Sequence, residues 1–185
     1  MPTRIWRQLL RQSATRCDPG EHSALDATFF DREAASSHYV NRSDRRIQTL
    51  KTTALVDTES CAVLDLHCPA HWSYDTQVGC RVALRNPDDI ESLAGDKGHD
   101  DQLHKDALCS EGVRSVIRHR LFAHDDHAHD ARLDSDLYGQ RWMVESAFSA
   151  TKCRFGAAGP SAWYREFREL VLIAAIYNLE QAIKG

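Results

Sequence analysis

Leu25, Ala27 and Phe29 alternate with Asp26, Thr28 and Phe30, the two-residue period of a β-strand. Residues 49–56 are rich in β-branched side chains, residues 57–60 read as a turn, and residues 61–68 return, so a hairpin is predicted. The period then lengthens. Asp75 is placed to cap a helix running to about Arg85, and Pro87 prevents its continuation. Residues 90–95 form a short apolar run that ends at Asp96. A helix from about Asp100 to Ser110 presents Leu103, Ala107 and Leu108 and stops at Gly112, and residues 113–118 predict a further strand. Residues 119–133, crowded with His and Asp, read as a loop. Two helices close the chain, at about 134–154 and 161–183, separated by Gly156, Gly159 and Pro160. Residues 1–22 read as a basic stretch followed by a loop with a turn at Asp18-Pro19-Gly20, and residues 32–43 as polar and irregular.

The resulting order is β-β-β-α-β-α-β-α-α, which predicts an α/β fold: a mixed five-stranded sheet with helices on both faces. The ribonuclease H-like fold has this order. At 185 residues the chain suffices for one domain with a sizeable core. The expected division is a basic N-terminal stretch, 1–22, and one domain, 23–185.

Composition narrows the function by exclusion. The longest apolar run, Leu170 to Tyr177, falls far short of the ~20 residues a membrane helix needs. No apolar stretch follows the N-terminal arginines, so a secretory signal is not indicated. The six cysteines are scattered without a CxxC pair, which suits reduced thiols in a cytoplasmic protein. No GxxxxGK[ST] supports ATP hydrolysis, and no GxSxG supports a serine nucleophile. The net charge of −4 hides segregation. Arg4, Arg7, Arg11 and Arg16 open the chain without an acid among them, whereas acids gather at 88–101 and 125–136. Such a distribution fits phosphate on one face and metal on another, or equally a solvated mixed surface.

The helix at 134–154 carries the sharper signal. At 100° per residue, Leu137, Val144, Phe148, Thr151 and Phe155 form a core stripe, with Tyr138, Arg141, Glu145 and Lys152 on the strip beside it. An Arg–Glu pair at i,i+4 is by itself a common surface device worth a few tenths of a kcal/mol. The added Tyr and Lys at the edge of a packed face favour function. Asp26 interrupts an apolar strand, where an unpaired carboxylate is costly to bury. Asp96 ends another strand beside Gly98, which permits close backbone approach. If these strands are neighbours, Asp26 and Asp96 share one Mg²⁺ or Mn²⁺ and Glu145 holds a second. A pair of such ions activates an attacking hydroxyl and stabilises the leaving oxygen in displacement at phosphorus. Tyr138, Arg141 and Lys152 would hold substrate phosphates. The histidine-rich stretch, with His119, His124, His127 and His129, matches no compact zinc pattern, and His67, Cys68 and His71 supply only three local ligands.

These residues also resemble a known family. DATFFDREAASSHYVNR, TLKTTALVDT, DTQVG, LAGDKGHD, VIRHRLFAHDDHAHDARLD, YGQRWMVESAFSATKCRFG and WYREFRELVLIAAIYNLEQAIK are similar to the DDE transposases of halophilic-archaeal insertion sequences. The likeness runs from about Asp18 to the C-terminus. It implies a ribonuclease H-like domain that nicks and joins element ends without ATP, with an acid triad at Asp26, Asp96 and Glu145. The family's Y-(2)-R-(3)-E-(6)-K pattern falls on Tyr138, Arg141, Glu145 and Lys152. His99 stands where the family commonly has Tyr, and Asp130 where it has Asn. The resemblance further implies double-stranded DNA partners (terminal inverted repeats and target), a homodimer on DNA, and a truncated N-terminal region, which makes 1–22 a remnant and 23–185 the catalytic domain. Two alternatives stand beside a transposase: a truncated remnant that binds DNA without catalysis, and a zinc-stabilised module built on the histidine stretch.

Overall fold

Alternation along β1 (His22–Asp31) loads both faces of the sheet: Ala24 and Phe30 enter one apolar cluster and Leu25 the other. β1 pairs antiparallel with β2 (Thr49–Asp57), which pairs antiparallel with β3 (Val63–His67). On its other side β1 runs parallel to β4 (Ser92–Gly95), and β4 parallel to β5 (Arg114–Ile117). The strand order is β3-β2-β1-β4-β5, a mixed five-stranded sheet of the ribonuclease H-like kind, as the element order predicted. The computed structural model describes residues 3–32, 49–71, 73–120, 124–156 and 163–184.

One face is covered by α1 (Thr3–Ala14), α6 (Trp142–Phe155) and α7 (Trp163–Lys184), which add Leu10, Val144, Phe148, Phe167 and Leu170 to the cluster of Ala24 and Phe30. Phe148 meets Phe30 edge to face, with ring centroids 6.4 Å apart. The other face is covered by α2 (Asp75–Ala83) and α3 (Gln102–Ser110) through Val78, Val82 and Leu108 against Leu25, Leu55 and Leu93. Each fully buried leucine contributes roughly 1.5–3 kcal/mol, so both layers bind the sheet firmly. Asn178 of α7 stitches the edge strand in place. Val63 N donates to its Oδ1 at 2.8 Å, and its Nδ2 donates to Val63 O at 2.9 Å and Ser13 Oγ at 3.0 Å. No helix among the described residues is long and apolar enough to cross a membrane.

Four local expectations are corrected. The basic N-terminal stretch, for which no element was predicted, is helical over residues 3–14, and Leu10 is fully buried. Two of its arginines are engaged within the fold. Arg7 lies 3.9 Å from Asp65 and over the Phe167 ring, and Arg11 donates to the Arg85 carbonyl at 2.6 Å and to the Asn86 side chain. The histidine-rich stretch contains α4 (His124–Arg132), because nothing from 119 to 138 is Gly or Pro. The helix at 134–154 is in fact two: α5 (Ser135–Gly139), capped by Asp134, and α6, with a turn at Gln140–Arg141. Gly139 is a weak helix former, and Thr58 Oγ1 donates to Gln140 Oε1 at 2.7 Å, which ties this junction to the hairpin turn. Finally, Asp75 is the first residue of α2, not its cap, and pairs with Lys51 at 2.7 Å. Most of the irregular reading at 32–43 lies outside the described residues.

Candidate active site

Parallel pairing of β1 with β4 sets Leu25 opposite Gly95, so the next residue of each chain, Asp26 and Asp96, emerges at the same end of the sheet. Asp26 shares a face with Ala24 and Phe30, the face that α6 covers. Its Oδ1 accepts from Ala27 N at 2.7 Å. Asp96 caps the tight turn Lys97–His99, its Oδ1 accepting from Gly98 N at 2.8 Å. A Cβ at Gly98 would stand 2.8 Å from that same oxygen, so a side chain there would displace the Asp96 carboxylate. Arg120, beyond β5, clasps the turn from outside: its Nε donates to Lys97 O at 3.0 Å and its Nη2 to Gly98 O at 3.2 Å. Lys105 and the Arg120 backbone both hold Asp100, at 2.6 Å each.

His99 completes this corner. One ligand atom each from Asp26, Asp96 and His99 lies within 4.8 Å of the other two. The imidazole is only 1% exposed, and its Nε2 is 3.9 Å from Asp96 Oδ1. Burial lowers its pKa, against the opposing charges of Asp96 and Asp75. Neither composition nor helical periodicity singled out His99. The usable signal was its spacing, three residues after Asp96 in a glycine turn.

Glu145 does not join that cluster directly. It reaches the corner through Arg141, whose Nη1 lies 2.8 Å from Glu145 Oε1 and 3.5 Å from Asp26 Oδ2. The guanidinium therefore sits between two carboxylates. Burial disfavours its charge, but Glu145 and Asp26 together raise its pKa. Asp26 lacks full compensation. Desolvation first, then the charges of Asp96 and Glu145, push its pKa up to about 6, despite the Ala27 amide and Arg141. A desolvated carboxyl beside two other carboxylates is one whose ionised form a cation would favour, and the oxygen donors of Asp26 and Asp96 fit a divalent ion.

The remaining strip residues part company. Tyr138 belongs to α5 and carries the Arg118 guanidinium over its ring at 4.2 Å. Lys152, two turns along α6 from Glu145, donates from Nζ to Thr28 Oγ1 at 2.6 Å and lies over the Phe30 ring. Burial lowers its pKa, with Asp31 opposing. Thr28 is two residues beyond Asp26 on the same face, so Lys152 flanks the acids without touching them. Asp130 is engaged by the backbone of its own neighbourhood, accepting from His119 N at 2.8 Å. Among the described residues no histidine of the 119–133 stretch enters a metal-holding group.

The profile of the family described as "Transposase DDE domain" matches residues 18–179. No curated protein matches the chain. Among solved structures, the chain is similar to part of one described as the cryo-EM structure of the simian T-cell lymphotropic virus intasome in complex with PP2A regulatory subunit B56 gamma. The TM-score is 0.37 at 15% identity, and the match covers 68% of this chain and 49% of the other, about half its length.

Proposed function

From membership of the transposase DDE-domain family, to which this chain belongs, we propose that it cuts and joins DNA phosphodiester bonds at the ends of a mobile element. The observation that carries this reading is the convergence of Asp26 and Asp96 at one sheet end, with Glu145 tied to Asp26 through Arg141. Asp26 and Asp96 would hold one divalent ion, Mg²⁺ or Mn²⁺, and Glu145 would contribute to a second. Bound ions would supply charge neutralisation at phosphorus and an activated hydroxyl. The chain's own residues position the DNA. Arg141 can exchange its carboxylate partners for a substrate phosphate, which its guanidinium can grip with two parallel N–H groups. Lys152 offers a cation beside the acids, and Tyr138 with Arg118 offers a stacked, charged ledge for the adjoining backbone. The substrates under this reading are terminal inverted repeats and target DNA, acted on by a homodimer.

Incubation with Mn²⁺ and DNA carrying the element's own terminal repeats tests it. Nicking that disappears in Glu145→Gln, with DNA binding retained, is the expected result. No nicking above the Glu145→Gln background would defeat the catalytic reading. Salt-sensitive DNA binding in both proteins would then support a non-catalytic DNA-binding remnant.

A further inference from the structure

Asp26 and Asp96 are two hard oxygen donors, and a site of these two plus water has no reason to distinguish Mg²⁺ from Mn²⁺ strongly. His99 changes the donor set. Its side chain is almost wholly buried, its Nε2 is 3.9 Å from Asp96 Oδ1, and all three ligand atoms lie within 4.8 Å of one another. Three donors each about 2.1 Å from one ion lie roughly 3.0–4.2 Å apart, so the three side chains need to draw together by about an ångström to close on it. The ring packs against α2: a Cβ on Gly79 would come within 2.6 Å of its Nδ1, which is buried without a hydrogen-bond partner among the described residues. With its Nδ1 edge against α2, the ring turns Nε2 toward Asp96.

We propose that His99, through Nε2, is a third protein ligand to the ion held by Asp26 and Asp96, and that this nitrogen tilts the site from Mg²⁺ toward Mn²⁺. The proposal rests on the reading of Asp26 and Asp96 as metal ligands. An imidazole donor favours ions later in the first transition series, whereas Mg²⁺ gains little from nitrogen. His99 is thereby distinguished from a residue that merely packs under the turn.

The deciding measurement is electron spin-echo modulation on the full chain loaded with one equivalent of Mn²⁺ and no DNA. Coupling to a directly bound imidazole ¹⁴N, replaced by the ¹⁵N pattern when histidine alone is labelled, is expected. Mn²⁺ that binds without nitrogen coupling overturns the role of His99 and leaves the carboxylate site standing. Failure to bind Mn²⁺, or binding that Asp96→Asn does not weaken, overturns both. Titration calorimetry supplies the second readout. His99→Gln should weaken Mn²⁺ binding by about tenfold or more and Mg²⁺ binding by less than about threefold. An equal loss for both ions would count against a nitrogen ligand. The echo measurement needs no variant, so it stands even if His99→Gln fails to fold.

Discussion

Replacing Asp26 with Asn should stabilise the metal-free protein at neutral pH while abolishing its chemistry. In the native state the carboxyl group titrates near 6, against 3.8 for an unperturbed aspartate. Above pH 6 the folded state therefore holds an ionised group that it disfavours. Each tenfold rise in proton affinity on folding corresponds to roughly 1.4 kcal/mol, which makes the penalty about 3 kcal/mol. The side chain keeps 21% of its surface in water, and screening brings the figure nearer to about 2 kcal/mol. The sign follows from proton binding. Between about pH 4 and 6 the native state binds more protons than the unfolded chain, so this group's penalty grows as pH rises through the window and is absent below it. Asn can still accept the Ala27 amide through Oδ1 and carries no charge.

Urea unfolding in EDTA at pH 7.5 should show Asp26→Asn more stable by about 2 kcal/mol, some 4–8 °C in Tm for a chain of this size. At pH 4 the difference should vanish. Added Mn²⁺ should raise the stability of the native sequence but not of the variant, through its binding to the folded state alone. A variant that is less stable at pH 7.5, or equally stabilised at both pH values, would refute the account of Asp26 as a charge-frustrated ligand.

Gly79→Ala would bring a Cβ to 2.6 Å from His99 Nδ1 and 2.7 Å from Leu25 Cδ2, so a loss of about 1–3 kcal/mol in chemical denaturation is expected. Arg141→Ala removes the guanidinium between Asp26 and Glu145; Mn²⁺ should bind about threefold tighter by calorimetry while DNA binding weakens, and unchanged Mn²⁺ affinity would show that the two cations do not compete. For Lys152→Ala, the slope of log affinity for DNA against log salt should fall by about 0.9, and an unaltered slope would remove Lys152 from the phosphate path. Asn178→Leu strands both backbone groups of Val63, and urea unfolding should register a loss of about 2–4 kcal/mol.

Much of the site was legible because its residues lie on regular elements. The core stripe of α6 followed from a 3.6-residue period, and Val144, Phe148 and Thr151 are indeed buried. Glu145 and Lys152 beside it were placed by the same arithmetic. Tyr138 lies on the separate short helix α5, one hydrogen-bonded turn from Arg141, whose N donates to Tyr138 O at 3.2 Å. The N-terminal helix escaped notice for a different reason. Arginines fill its polar positions and read as a phosphate-seeking tail, but a guanidinium serves an internal carboxylate such as Asp65 equally well. The helical state of α4 was hidden because it lacks an apolar stripe and offers only the absence of breakers.

Local sequence by itself determined the strand period, the helix faces, the glycine turn after Asp96 and the order that makes a ribonuclease H-like sheet. These depend on φ/ψ preference and on which side chains avoid water, both readable within a dozen residues. Only the tertiary structure decided which groups meet. Parallel pairing of β1 with β4 brings Asp26 to Asp96 across 70 residues of chain, the close approach of α2 presses His99 into the same corner, and Arg141 takes the space between Asp26 and Glu145. Register and desolvation set those encounters. Both are properties of packed neighbours, which no periodicity within a single segment records.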